Sequence, residues 1–94
     1  MMTLEELKKL FATKRLKVEK SNMVYTFKGN TMLLDGRIIA NFELYEENGN
    51  FYLKTTPYIY DNEDLLIVFK NENPVFINLS TRFRGRHFIA LEEV

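Results

Sequence analysis

The sequence contains one histidine, His87, which is the side chain most often used as a general base near neutral pH and a common metal ligand. It contains no cysteine and no second histidine, so neither a thiolate nor another imidazole can share a metal ion with His87. We therefore interpret His87 as a half-exposed strand residue.

Acidic residues cluster at Asp61, Glu63 and Asp64. An EF-hand would need acidic residues at fixed spacing, a central glycine and a closing glutamate, and this segment has no such pattern. Nor does the chain contain a glycine-rich phosphate loop, a nucleophile elbow or a metalloprotease motif. The sequence thus predicts a protein that is not an enzyme and uses no metal or cofactor, although two distant carboxylates could still meet to form a hydrolase site.

In the segment Arg82–His87, every second residue is an arginine: Arg82, Arg84 and Arg86. Phe83 and Phe88 lie between and just after these arginines. Arginine beside exposed aromatic rings is typical of single-stranded nucleic-acid binding, because guanidinium groups contact phosphates while rings stack on bases. The favoured interpretation is that the phenylalanines face the core and the arginines keep an edge strand unpaired. A formal net charge of zero also argues against a duplex-binding domain.

Tyrosines next to the acidic segment form a second candidate site. The proposed partner-binding residues are Tyr45, Tyr52, Tyr58, Tyr60, Asp61, Glu63 and Asp64. Tyrosine contributes a large contact area at low entropic cost, and it is enriched in protein interfaces. The alternative is a second packing layer, in which the rings are covered by the N-terminal helix or by another part of the sheet.

A β-hairpin between residues 38 and 60 positions these tyrosines. Asn48-Gly49 suits a tight type I′ turn, in which both central residues have positive φ. Counting outward pairs Glu43 with Lys54 on one face and Leu44 with Leu53 on the other. The same register places Tyr45 opposite Tyr52, on the face away from the leucines. Tyr58 and Tyr60 are an even number of positions from Tyr52, so in a continuous strand they would lie on the same face as Tyr52.

A helix over about residues 4–13 is predicted at the N-terminus, where Thr3 and Glu6 form a capping box ahead of an apolar stripe. Short strands are predicted from about residue 15 to residue 92. Two interpretations are open for the next segment: Thr31–Leu34 is a very short separate strand, or Gly29 is a bulge in one long strand that ends at Leu34. The bulge is favoured, because Asp35-Gly36 then forms the next turn. The apolar segment Leu65–Phe69 indicates a central strand with both faces covered.

The fold class is therefore α+β and mostly antiparallel β. One N-terminal helix packs on a curved meander of six to eight strands or on a partly closed barrel. All 94 residues are expected to form a single domain, since 46% are hydrophobic and 14% aromatic. The acidic N-terminus lacks the features of a signal peptide, and the absence of cysteine suits a reducing compartment, so a cytoplasmic location without membrane association is expected.

Charge is distributed unevenly along the chain. Residues 1–37 carry eight Lys and Arg against four Asp and Glu, whereas residues 38–72 carry two Lys against seven Asp and Glu. The folded protein can therefore have distinct basic and acidic faces.

The favoured function is a small protein-binding domain that occupies a partner's surface, as an inhibitor or an adaptor. Self-association is a further interpretation. The nine asparagines suggest an AT-rich genome, and a small motif-free β domain is typical of accessory proteins of phages and mobile elements.

Two other functions compete with this one. The first is single-stranded nucleic-acid binding through Arg82–His87. The second is a small-ligand carrier, which an apolar cavity of at least a few hundred cubic ångströms inside a closed barrel would indicate.

Overall fold

The computed structural model describes residues 2–18, 20–59, 62–71, 73–78 and 85–91, the last segment and Asn78 by backbone alone. Within these residues the chain forms one helix followed by eight strands. The elements are α1 (Leu4–Thr13), β1 (Arg15–Val18), β2 (Val24–Lys28), β3 (Thr31–Leu34), β4 (Arg37–Glu47), β5 (Asn50–Thr56), β6 (Leu65–Lys70), β7 (Asn73–Asn78) and β8 (Gly85–Leu91).

Each strand pairs antiparallel with the next, and β8 returns to pair with β1, so the sheet closes into a barrel. The closing register places Leu16 opposite Ala90. Closure gives the strands at both ends of the meander a hydrogen-bonding neighbour on each side, which leaves no sheet edge open among the described strands. The predicted class, mostly antiparallel β with one N-terminal helix, is confirmed.

The helix begins at the predicted capping box. The Glu6 amide donates to Oγ1 of Thr3 at 3.2 Å, and the Thr3 amide donates to Oε1 of Glu6 at 3.0 Å. These two bonds satisfy N–H groups that have no partner within the helix. Leu7 and Phe11 lie on one face and are buried, so the predicted helix and its apolar stripe are confirmed.

The β4–β5 hairpin has the predicted register. Glu43 pairs with Lys54, Leu44 with Leu53 and Tyr45 with Tyr52. Both turn residues adopt positive φ, 53° at Asn48 and 81° at Gly49, as a type I′ turn requires.

The predicted bulge at Gly29 is wrong. Lys28 pairs with Thr31, so Gly29 and Asn30 form the tight turn of a separate β2–β3 hairpin. Gly29 has a φ of 61°, and the Asn30 carbonyl accepts a bond from the Phe42 amide in β4 at 2.8 Å. The irregularity lies one hairpin further on, where the β3–β4 register shifts between Met32 and Leu33.

Side chains on the inner face of the barrel pack together with those of α1. The core cluster consists of Leu7, Phe11, Leu16, Val18, Tyr25, Phe27, Met32, Leu44, Leu53, Leu65, Ile67 and Phe76. Phe11 lies at its centre, with its ring centroid 4.7 Å from that of Phe27 and 5.9 Å from that of Phe76. The helix therefore closes the core by contacting strands from both halves of the chain.

Strand β6 differs from its prediction. Leu65 and Ile67 are buried, but Leu66 is only half-buried and Val68 is 37% exposed. One face of β6 thus points into the barrel and the other points outward, because a barrel has a single interior. The expectation that both faces are covered is wrong at Val68.

We expect Leu7→Ala and Phe11→Ala each to lower the free energy of unfolding by ~2–5 kcal/mol, because each removes a fully buried side chain from a packed core. Urea unfolding measures the change, and Lys9→Ala on the exposed face of α1 serves as the control. Near-neutral effects of both core substitutions would mean that the helix is not docked on the barrel.

Candidate functional site

Tyr45 and Tyr52 form a stacked pair on the outer side of the β4–β5 hairpin. Their ring centroids lie 5.2 Å apart and the ring planes differ by 17°. Leu44 and Leu53, one residue away on each strand, face inward and are buried. The pleat therefore directs the two tyrosines away from the core, as the sequence predicts.

A hydrogen bond fixes the orientation of this pair. The Tyr45 hydroxyl donates to Oδ2 of Asp64 at 2.6 Å, across 19 positions of sequence. This bond to the carboxylate, followed by partial desolvation, raises the pKa of Tyr45 well above its usual value. A phenolate beside Asp64 would place two negative charges in contact, so the hydroxyl keeps its proton at neutral pH.

The second oxygen of the same carboxylate, Oδ1 of Asp64, is buried and accepts no hydrogen bond from the residues that the structure describes. Such a group is unusual in a folded protein, and it gains free energy if a donor reaches it. Asp64 thus combines one oxygen that holds Tyr45 with one that has no partner among the described residues.

Apolar side chains extend the tyrosine pair across the sheet. Tyr52 pairs with Leu66 in β6, and Leu66 pairs with Ile77 in β7. Directly paired residues of antiparallel strands lie on the same face, so the four side chains form one row on the outside of the barrel. We call Tyr45, Tyr52, Leu66 and Ile77, together with Asp64, the tyrosine face. None of these residues belongs to the core cluster of the described part of the chain.

Charged groups surround the tyrosine face. Glu43 and Glu47 lie on the same side of β4 as Tyr45, and both are exposed. Lys54 is cross-strand from Glu43 and is also exposed. Between these strands lies a shallow depression of about 210 Å³, lined in part by Glu43 and Lys54. The flank of the tyrosine face is therefore predominantly acidic.

The other predicted partner-binding residues are less closely connected. Tyr58 is 47% exposed, but β5 ends at Thr56, so Tyr58 does not continue the row as its parity indicated. Glu63 is half-buried in the loop ahead of Asp64. Tyr60 and Asp61 lie outside the described residues.

The arginine-rich segment lies largely outside the described residues as well. Arg82 and Arg84 are not described, while Arg86 and His87 are described only as backbone within β8. There His87 is opposite Val75 and Arg86 is opposite Phe76. The interpretation of His87 as a strand residue agrees with this placement.

Two further properties concern the described residues. No group of three or more histidine, aspartate or glutamate side chains in them is arranged to hold a metal ion. No helix among them is long and apolar enough to cross a membrane.

Sequence reasoning missed Leu66 and Ile77. Both residues lie in continuous apolar segments. Such segments do not alternate between apolar and polar residues, so the sequence alone does not show which of their side chains face outward. The signal that could have found them is pairing of β5 with β6, since the hairpin register already fixed Tyr52 on the outer side.

Comparisons with models of protein families, with curated proteins and with solved structures find no match to this chain.

The raised pKa of Tyr45 has a consequence for stability at alkaline pH. Between the Tyr45 pKa of the unfolded chain, about 10, and its higher pKa in the folded protein, only the folded protein keeps the proton. The hydrogen bond to Asp64 therefore stabilises the fold fully below pH ~10, and this contribution is lost as the pH rises through the pKa of the folded state. Tyr45→Phe should therefore lose stability less steeply above about pH 10 than the unsubstituted protein. Denaturant unfolding at a series of pH values measures this slope.

Asp64→Asn provides the companion variant, since it removes the carboxylate and retains a side-chain oxygen. We expect Tyr45 in this variant to ionise at a lower pH, as followed by tyrosinate absorbance. Identical alkaline slopes for the unsubstituted protein and Tyr45→Phe would contradict the Tyr45–Asp64 hydrogen bond.

Proposed function

We propose that this protein is a small non-enzymatic binding domain whose tyrosine face occupies the surface of a partner protein, as an inhibitor or an adaptor. The observation that carries the proposal is the stacked Tyr45–Tyr52 pair, which lies outside the core and is held by Asp64. The core cluster of the described residues contains neither ring, which supports a role for them outside the packing of the barrel.

Order in the free protein supports a binding role. Stacking restrains both rings, and the bond to Asp64 restrains the Tyr45 hydroxyl. An interface whose side chains are already ordered loses less conformational entropy on association. Tyrosine is also among the residue types that most often dominate the binding energy of an interface.

The chemistry of the face also indicates the kind of partner. Leu66 and Ile77 offer aliphatic area beside the rings, while Glu43 and Glu47 provide negative charge at the border. A partner with an apolar centre and basic residues around it would complement both features. A donor from that partner, such as an arginine or lysine, would also satisfy Oδ1 of Asp64.

The test compares variants of the tyrosine face with a matched control. Tyr52→Ala should lower the free energy of unfolding by less than about 2 kcal/mol, whereas a fully buried aromatic would cost ~3–5 kcal/mol. It should weaken partner binding by about 2 kcal/mol or more if Tyr52 is a dominant contact. Tyr58→Ala tests the neighbouring exposed ring in the same way.

The matched control is Ile38→Ala, which removes a side chain that is 73% exposed. Ile38 lies in the same strand as Tyr45 but seven residues away, or about 23 Å along β4. Cross-linking and affinity capture from the producing cells, followed by mass spectrometry, should give a partner that Ile38→Ala retains and Tyr52→Ala loses.

Two results would contradict the proposal. Retention of the same partners by Tyr52→Ala and Ile38→Ala would remove the tyrosine face as the binding site. A loss of stability as large as that of a core substitution would show that Tyr52 serves folding. Salt-sensitive retention of single-stranded nucleic acid by both variants would instead favour the arginine-rich segment.

A further inference from the structure

Two clefts lie side by side where α1 meets the barrel. The larger, which we call the aromatic cleft, has a volume of about 380 Å³. It is lined mainly by Lys8, Ala12, Phe27, Phe42, Glu43 and Leu44. Its volume lies within the range of small-molecule sites, which extends from about 300 to 1,000 Å³.

The walls of the aromatic cleft are largely apolar. Phe27 and Phe42 meet edge to face, with ring centroids 4.9 Å apart and planes at 77°. Phe27 is buried, but Phe42 is only half-buried, so part of its surface remains available beside Ala12. This cleft therefore suits a planar aromatic group or an aliphatic group of a ligand.

The smaller, basic cleft has a volume of about 190 Å³ and is lined by Thr13, Lys14, Arg15, Thr26 and Lys28, together with Ala12 and Phe27. Because Ala12 and Phe27 line both clefts, the two are adjacent. Three of the described lining side chains are cationic, and none of the described ones is acidic. The basic cleft therefore has the charge and the size for one oxyanion.

Strand pairing brings these cations together. Leu16 pairs with Tyr25, so the next pair along the strands places Arg15 beside Thr26. Lys28 is two residues further along β2, on the same outward face as Thr26. Lys14 follows the end of α1, where it is the C-cap residue.

Arg15 has a hydrogen-bond donor that no described residue satisfies. Its Nε atom is buried and donates no hydrogen bond, one of only two such side-chain atoms in the described part of the chain. A buried N–H without an acceptor is costly, and a bound anion would supply the acceptor that this group lacks. The guanidinium fork suits phosphate oxygens better than an ammonium group does.

We propose that the two clefts form one binding site for a small phosphate monoester, with the phosphate in the basic cleft against Arg15 and Lys28 and the apolar body in the aromatic cleft. Several converging cations favour a phosphate dianion over a singly charged carboxylate. No residue of the tyrosine face lines either cleft, although Glu43 at the border of that face also lines the aromatic cleft. The proposed site requires no protein partner.

The experiment is a titration of the isotope-labelled protein, followed by nuclear magnetic resonance, with phenyl phosphate, inorganic phosphate, phenol and benzoate. Phenyl phosphate should bind at least about tenfold more tightly than any of the other three, because only it fills both clefts and carries two charges. The amide signals of Ala12, Thr26 and Gly29 should shift most, because these residues line the two clefts.

Charge-removal variants locate the phosphate. Arg15→Gln should weaken phenyl phosphate binding by about tenfold or more, as expected for the loss of a charged hydrogen bond. Lys17→Gln removes the same charge from the same strand, but Lys17 lines neither cleft, so this change should weaken binding several-fold less than Arg15→Gln does. Lys28→Gln, at an exposed position, tests the site if Arg15→Gln does not fold.

Three results would overturn the proposal. Equal affinity for phenyl phosphate and inorganic phosphate would indicate nonspecific attraction of an anion to a basic surface. Equal effects of Arg15→Gln and Lys17→Gln, or of Lys28→Gln and Lys17→Gln, would lead to the same conclusion. Benzoate binding as tightly as phenyl phosphate would exclude a phosphate-selective site.

Discussion

The ring of Phe11 makes the contact on which the rest of this structure depends. It lies against Phe27 in the first half of the sheet and against Phe76 in the second half. Short antiparallel strands are individually weak, and a helix of ten residues is marginal by itself. Joining them through one buried aromatic cluster makes the helix and the closed sheet stabilise each other.

Closure also divides the side chains of each strand into two sets. Inward-facing residues fill the core together with Leu7 and Phe11. Outward-facing residues can then vary without loss of core packing, apart from those that cover neighbouring strands. Four side chains of the tyrosine face belong to this outward set: Tyr45, Tyr52, Leu66 and Ile77. Arg15, Thr26 and Lys28 of the basic cleft also belong to it. One closed core thus carries two candidate sites on its exterior.

The helix and the β4–β5 hairpin could be predicted because their signals are local. A capping box and a two-residue turn lie within a few positions of the residues that they organise, and the register outward from Asn48-Gly49 also placed Tyr45 and Tyr52 correctly. Gly29 was misassigned because a glycine-asparagine pair suits both a bulge and a turn. Only the pairing of Lys28 with Thr31 distinguishes the two.

The remaining features depend on contacts between distant parts of the chain. The sequence places Asp64 in an acidic segment and groups it with the tyrosines, but it does not predict the hydrogen bond to the Tyr45 hydroxyl, which depends on the fold. Arg15 and Lys28 were recognisable only as separate basic residues until β1 paired with β2. The outward orientation of Val68 likewise follows from a barrel that has one interior, a property of the whole sheet.

The binding proposal requires the tyrosine face to lie on the outside of the barrel in the free protein. Hydroxyl-radical footprinting with mass spectrometry measures the accessibility of each tyrosine directly. We expect rapid oxidation of Tyr58, slower but measurable oxidation of Tyr45 and Tyr52, and protection of the buried Tyr25. Protection of Tyr52 equal to that of Tyr25 would contradict the proposal, because it would place the tyrosine pair inside a packing layer.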